Sequence, residues 1–300
     1  MSKVYDGLIG LAVGDALGVP FEFKERDTFF ADGMWGNGTH NQPIGTWSDD
    51  TSMTIATMEA IITKKRIDLE TIMNNFVEWY YNAKFTAYDN RFDCGNTTAQ
   101  AILNYNSRHK NVDNCGIDSE YANGNGSLMR ILPLAYIDCG DYYIDKVSAL
   151  THAHYIARNG CAVYVYIARA LLNGIDKREA VQTVYKLGNV DYRRLGKIES
   201  YERDFIKSSG YVIDTLEAAV WCLLTTDNYK DCILKAVNLG EDTDTVAAVV
   251  GGLAGILYGV GGEKGVPEEW IAQLAKKDYF EDLAKRFEEV LPELNEHYKD

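Results

Sequence analysis

The sequence predicts an all-α protein folded as one domain over residues 1–300, and three observations predict it. Apolar residues recur at helical spacing almost throughout, no run alternates with a period of two, and two sets of glycines repeat at every fourth position. Only five prolines occur, no Ser/Pro or Gly/Ser linker is present and no block of like charge interrupts the chain, so nothing marks a place to divide it. With 46% hydrophobic residues the chain can bury a large core.

The elements follow in order. A first helix is expected over 4–18, where Gly10, Gly14 and Gly18 line one face and allow another backbone to approach closely. Each such glycine costs on the order of 1 kcal/mol of helix propensity in water, so a crowded crossing is the natural compensation. A second helix over 50–64 starts beside Asp49 and Asp50. The stripe Leu69, Ile72, Met73, Phe76, Val77 and Tyr80 defines a third. Asn96 and Thr97 suit the start of a helix over 96–107, and the N-G-N-G-S run at 123–127 leads into one over 127–138. Apolar spacing then gives 142–152, 155–173, 176–188, 212–225 and 229–238. The second glycine set, Gly251, Gly255 and Gly259, lies in a helix over 244–259, and Phe280, Leu283, Phe287 and Val290 mark the last. Long connections remain at 19–48, 83–95, 121–127 and 191–211, and chemistry is expected there.

A net charge of −14 argues against nucleic acid or an anionic membrane as partner, since both need a basic surface. The six cysteines, at 94, 115, 139, 161, 222 and 232, form no C-x-x-C pair and read as reduced thiols, so a cytoplasmic location is expected. Asp6 and Asp15 inside the first apolar stretch exclude a signal peptide. The uncharged run 246–262 is only 17 residues long and rich in glycine, so a buried core helix is expected rather than a membrane span.

The stretch G-T-W-S-D-D-T-S at 45–52 sets Asp49 and Asp50 among hydroxyls immediately before an apolar helix. A single acidic residue there is an ordinary cap stabilised by the helix dipole. The arrangement recurs as G-E-D-T-D-T at 240–245, again ahead of an apolar helix. Two oxygen-only clusters make a site for hard divalent cations plausible if they meet in space.

These motifs, together with G-L-I-G-L-A-V-G-D-A-L-G-V-P-F-E at 7–22, N-G-N-G-S-L-M-R at 123–130, T-H at 151–152 and S-S-G-Y-V-I-D-T-L-E-A-A at 208–219, resemble the ADP-ribosylglycohydrolase family in content and order. The resemblance implies a compact orthogonal helical bundle with a binuclear Mg²⁺ or Mn²⁺ centre in a central cleft that binds ADP-ribose. It implies Ser48, Asp49, Asp50, Asp242, Asp244 and Thr245 as metal ligands and Glu22, Asp93 and Asp49 as catalytic groups. For substrate it implies Asn96, the loop residues Asn123, Gly124, Asn125, Gly126 and Ser127, then Met129, His152, Ser209, Gly210 and Tyr211. Each has an ordinary alternative: a surface charge for Glu22, a plain turn for 123–127, core packing for Tyr211, a helix cap for Asn96. His154 rivals His152, because the segment reads T-H-A-H-Y.

Asp93, in R-F-D-C-G-N-T-T at 91–98, stands where the arginine-specific branch of that family carries an acidic residue, so the resemblance favours an ADP-ribosyl-arginine protein as substrate. Either Asp93 or Glu22 would handle protons. A monomer is expected. Two rival classes stay open: a silent ADP-ribose binder or crystallin-like structural protein, and a metal-dependent phosphohydrolase.

Overall fold

A computed structural model describes residues 2–186 and 190–299. In chain order the helices are α1 (Lys3–Gly18), α2 (Asp49–Lys64), α3 (Leu69–Asn82), α4 (Asn96–Asn106), α5 (Asp141–Ala149), α6 (Tyr155–Leu172), α7 (Lys177–Lys186), α8 (Val212–Leu224), α9 (Tyr229–Val237), α10 (Thr243–Tyr258), α11 (Glu268–Gln273) and α12 (Lys277–His297). Among the described residues there is no β-strand, only isolated bridges between loops.

The centre of the fold is the antiparallel crossing of α1 and α10, both buried along nearly their whole length. The glycines explain the closeness. A Cβ built on Gly10 would lie 2.4 Å from the carbonyl oxygen of Gly251, and one on Gly14 would lie 2.2 Å from that of Ala247. At the end of α1, a Cβ on Gly18 would sit 2.3 Å from the Cα of Asp244. Only glycine allows this approach, and it sets the start of α10 against the end of α1. Gly259 differs from its ladder partners: it ends α10 with φ +73° and touches α1 only at ordinary distance. The membrane candidates are core helices. The stretch Lys3–Phe21, α1 with the turn after it, is long and apolar enough to span, yet 94% of its apolar window is buried inside the fold, and α10 is buried from Thr243 to Ile256.

Some expectations are corrected. Instead of one helix over 127–138 there are two short 3₁₀ turns, Leu128–Arg130 and Leu132–Tyr136, because Pro133 lacks the amide an α-helix would need. The expected loop 191–211 contains 3₁₀ segments at Val190–Ser200 and Arg203–Phe205, and the short α11 escapes a periodicity search. α5 ends at Ala149, leaving Thr151 and His152 in the following turn. The helix expected over 176–188 is seen as α7 to Lys186; positions 187 and 188 lie outside the described residues.

Candidate active site and cation centre

Ser48 caps α2, its Oγ accepting from the Asp50 amide at 3.3 Å. What fixes this helix start is Asp15, a buried carboxylate in the last turn of α1. It accepts from the amides of Ser48 (3.0 Å) and Thr51 (3.0 Å) and from the Thr51 hydroxyl (2.6 Å). The first turn of α2 is thereby bolted to α1, whose last turn touches α10, and the two acidic motifs meet.

Carboxylate oxygens of Asp15, Asp50 and Asp244 lie within 4.8 Å of one another, and the same holds for Glu22, Asp93 and Asp244. Asp244 belongs to both groups. Asp49 is buried beside Asp93 and Glu22, whose charges act on it. The Asp50 Oδ2 accepts from the hydroxyls of Ser48 (3.0 Å) and Thr245 (3.3 Å), and the Asp242 Oδ2 accepts from the Asn125 amide (2.7 Å). Of the expected ligands, Asp50 and Asp244 thus face each other directly, while Ser48, Asp49, Asp242 and Thr245 border the two groups.

This concentration of charge is uncompensated. No lysine or arginine among the described residues pairs with any of these acids; the single ionic partner is His40, hydrogen-bonded to Glu22. Burial, reinforced by neighbouring carboxylates, pushes Asp49, Asp50 and Asp244 far above the usual carboxylate range. Burial lifts Asp15 to about 6 against its hydrogen bonds, and Glu22 to about 7 against the bond from His40. The Oδ1 atoms of Asp50 and Asp242 are buried with no hydrogen-bond partner. Oxygen donors only, excess negative charge and orphaned acceptors fit a hard divalent cation, which would supply the missing counter-charge.

Beside the acids opens a cavity of about 340 Å³. Its wall gathers Glu22, Asp49, Asp93, Asn96, Gly124, Asn125, Gly126, Met129, His152, Gly210, Asp242 and Thr245 from the expected residues, and adds Phe23 and Thr98. The loops forming it are stitched together: the Asn125 amide donates to the Gly210 carbonyl (3.0 Å), the Val212 amide to that of Asn123 (3.0 Å). Glu22 is 5% exposed, so it is no surface charge. Tyr211 is 38% exposed, so it is no core residue.

Four expected substrate contacts lie off the cavity wall: the exposed Tyr211 and three more. Ser127 is fully buried behind the cavity, its hydroxyl accepting from Ser148 (2.9 Å), and the element after it is a three-residue 3₁₀ turn rather than a helix N-terminus. The Asn123 side chain holds the Nδ1 of His154 (2.9 Å), which places His154 at the start of α6 and off the cavity wall. Ser209 donates to Asp214 (2.7 Å) at the start of α8.

His152 is held through Thr151. The fully buried Arg130 donates from Nη2 to the Thr151 hydroxyl oxygen (2.8 Å), and Thr151 Oγ1 is also 2.8 Å from His152 Nδ1. Arg130 takes one lone pair of the Thr151 oxygen; where the Thr151 proton goes to Nδ1, the neutral ring keeps its own proton on Nε2. Burial, with the Arg130 charge adding, holds this imidazole down to about 3, hence neutral. Nε2 lies where Gly124 and Gly126 leave space; a Cβ on either would come within 3.4 Å of it.

Sequence reasoning missed Asp15, His40, Thr151 and Arg130 as parts of this site. Asp15 carried one signal, a carboxylate inside an otherwise apolar helix; His40 carried none.

Comparison with known proteins finds relatives along nearly the whole chain. A family model of the ADP-ribosylglycohydrolases matches residues 1–297. The chain is similar to the ADP-ribosylarginine hydrolase Tri1 of Pseudomonas putida (strain GB-1), at 33% identity over 99% of this chain and 80% of that protein. It is similar to the ADP-ribosyl-[dinitrogen reductase] glycohydrolase of Rhodospirillum rubrum at 29% identity, over 92% of this chain and 91% of that one. Its fold matches a solved chain of an ADP-ribosylglycohydrolase-related protein complex with a TM-score of 0.81, at 27% identity over 96% of this chain and 97% of that chain.

Proposed function

The chain belongs to the ADP-ribosylglycohydrolase family, and on that premise we propose that it releases ADP-ribose from modified proteins by hydrolysing the N-glycosidic bond to arginine, with two divalent cations, Mg²⁺ or Mn²⁺, seated in the acidic cluster. The observation that carries the reading is the convergence of buried, uncompensated carboxylates on one cavity wall. Asp15, Asp50 and Asp244 would hold one cation and Glu22, Asp93 and Asp244 the other. Bound there, the cations would neutralise the cluster, activate water and offset charge developing on the distal ribose.

The chain's own groups supply the rest. Ser48 and Thr245 orient Asp50, and Asn125 orients Asp242. The His152 Nε2–H donates to a ligand oxygen, and the exposed Tyr211 ring offers a stacking face. Asp93 is the least buried of the acids, so it is the one a protein-borne guanidinium reaches. Glu22, hydrogen-bonded to His40, takes the proton of the attacking water as the water oxygen bonds to C1″ and the C1″–N bond breaks. That proton then passes to the departing guanidine.

The test is incubation with arginine-, serine- and nucleobase-linked ADP-ribose conjugates, with Mg²⁺ or Mn²⁺ and with chelator. Free ADP-ribose should leave the arginine conjugate only in the presence of cation, and Asp93→Asn should lower kcat/KM for it by about tenfold or more, since a hydrogen bond to a charged group contributes about 1.5 kcal/mol or more. Turnover confined to the serine conjugate would overturn the arginine assignment. Release of AMP would point to a phosphohydrolase, and binding without product to a silent binder.

A further inference from the structure

The lip of the acidic cavity carries a phenylalanine that stability does not explain. Phe23, next in sequence to Glu22, lines the cavity and is 69% exposed. Its φ is +64°, in the left-handed region that a bulky side chain adopts only at a cost. Phe85 also has a positive φ, +69°, but it packs against the core, and burial offsets the strain. Phe23 has no such return.

The strained turn is nevertheless held firmly. The Phe23 amide donates to the Glu241 carbonyl (2.7 Å) and the Glu241 amide to the Lys24 carbonyl (2.8 Å), which staples the turn to the segment leading into Asp242 and Asp244. A strained residue that its surroundings over-determine, at the edge of a candidate active site, points to a use for its side chain.

The neighbours of the ring define that use. The His40 ring lies 5.9 Å from that of Phe23 and 5.1 Å from that of Phe92, centroid to centroid, so two phenylalanines flank it. Each of them adjoins an acid in the chain, Glu22 or Asp93, and these two carboxylates belong to one group whose oxygens lie within 4.8 Å of one another. An open aromatic face beside carboxylates suits a planar cation, which offers its face to the ring and its N–H edge to an acid. The adjacent ammonium of Lys24 is engaged elsewhere, 5.3 Å over the Phe21 ring.

We propose that Phe23 is a specificity-determining residue for arginine, its ring forming the face on which the substrate guanidinium stacks while Asp93 pairs with the guanidinium edge. This deepens the hydrolase reading and rests on it. The carboxylate selects positive charge and the ring selects a flat group, so together they favour a guanidinium over an ammonium or a neutral hydroxyl.

The test compares the parent, Phe23→Leu and Phe23→Trp on the arginine conjugate in Mg²⁺ or Mn²⁺. Leucine keeps apolar bulk without a π face, and tryptophan enlarges that face. Phe23→Leu should raise KM and lower kcat/KM by about tenfold, whereas Phe23→Trp should match or exceed the parent, indole being the strongest partner for a cation. Free ADP-ribose carries no guanidinium, so its affinity, read by calorimetry, should be the same in all three proteins. An unchanged kcat/KM in Phe23→Leu, a loss in Phe23→Trp as large as in Phe23→Leu, or an equal loss of ADP-ribose affinity would overturn the proposal. A parent that releases nothing from the arginine conjugate sinks the hydrolase reading and the proposal with it; parent turnover that ignores Phe23→Leu sinks the proposal alone.

Discussion

At the scale of single residues, Thr151 has the most consequence for its size. It links the buried Arg130 to His152, and we predict that its proton goes to Nδ1, so that a neutral imidazole presents a hydrogen-bond donor to the cavity. Thr151→Val keeps the shape and removes the relay. The expected outcome is a loss of about 1–3 kcal/mol in stability from the unpaired Arg130 N–H, and a fall in kcat/KM of about tenfold or more. Nitrogen chemical shifts of the His152 ring check it directly: the parent should show a protonated Nε2 and a bare Nδ1 through neutral pH, and the variant a mixture. A parent ring protonated on Nδ1 would refute the relay. Asp15 teaches a complementary lesson. Its four hydrogen bonds at the start of α2 make it a structural clamp as much as a charge, so it ties the helix to the cluster that the helix carries.

At the scale of elements, the α1–α10 crossing decides whether the two acidic motifs meet at all. Gly14→Ala would place a methyl 2.2 Å from the backbone carbonyl of Ala247, a group that cannot move without moving α10. We expect about 2–3 kcal/mol of destabilisation, the cost of overpacking. Because separating the helices also moves Asp244 from Asp15 and Asp50, cation binding should weaken in the same variant. Gly33→Ala is the control, since the nearest atom to its added Cβ is 3.8 Å away, and it should change stability by no more than about 0.5 kcal/mol. Thermal unfolding of the two variants side by side is the measurement. Equal midpoints would mean that the ladder is not a close-packed contact.

At the scale of the whole molecule, the acidic cluster is a fault in the fold until something positive enters it. Like charges gathered in a buried place destabilise the folded state, and a cation that binds only there stabilises it by mass action, by about 2.7 kcal/mol at a concentration 100-fold above its Kd. Mg²⁺ or Mn²⁺ should therefore raise the unfolding temperature of the parent by several degrees. Asp50→Asn should abolish that increment while unfolding in chelator no earlier than the parent, because it removes one of the repelling charges and keeps the carboxamide's shape. Parent and variant with the same midpoint in cation and in chelator would refute a cation site. Calorimetry at fixed pH is sufficient.

Much of this was legible in the chain because it is written at short range. Helical periodicity announced the class, the glycine ladders announced a close crossing, and the two acidic helix starts announced the chemistry, since each signal lies within a few consecutive turns. Exposure could not be read there: Glu22 is buried and Tyr211 open to solvent because distant loops cover one and leave the other. Nor could the partners of Asp15, or the hold on His152, which depends on Arg130 and Thr151 meeting 21 positions apart. The sequence by itself determined which local elements form and what donors they carry. Only the packing of α1 against α10 and α2 decided that carboxylates from the end of α1 and the turn after it, the start of α2, the 83–95 loop and the start of α10 gather in one cluster, because burial and electrostatics depend on distances that chain order does not encode.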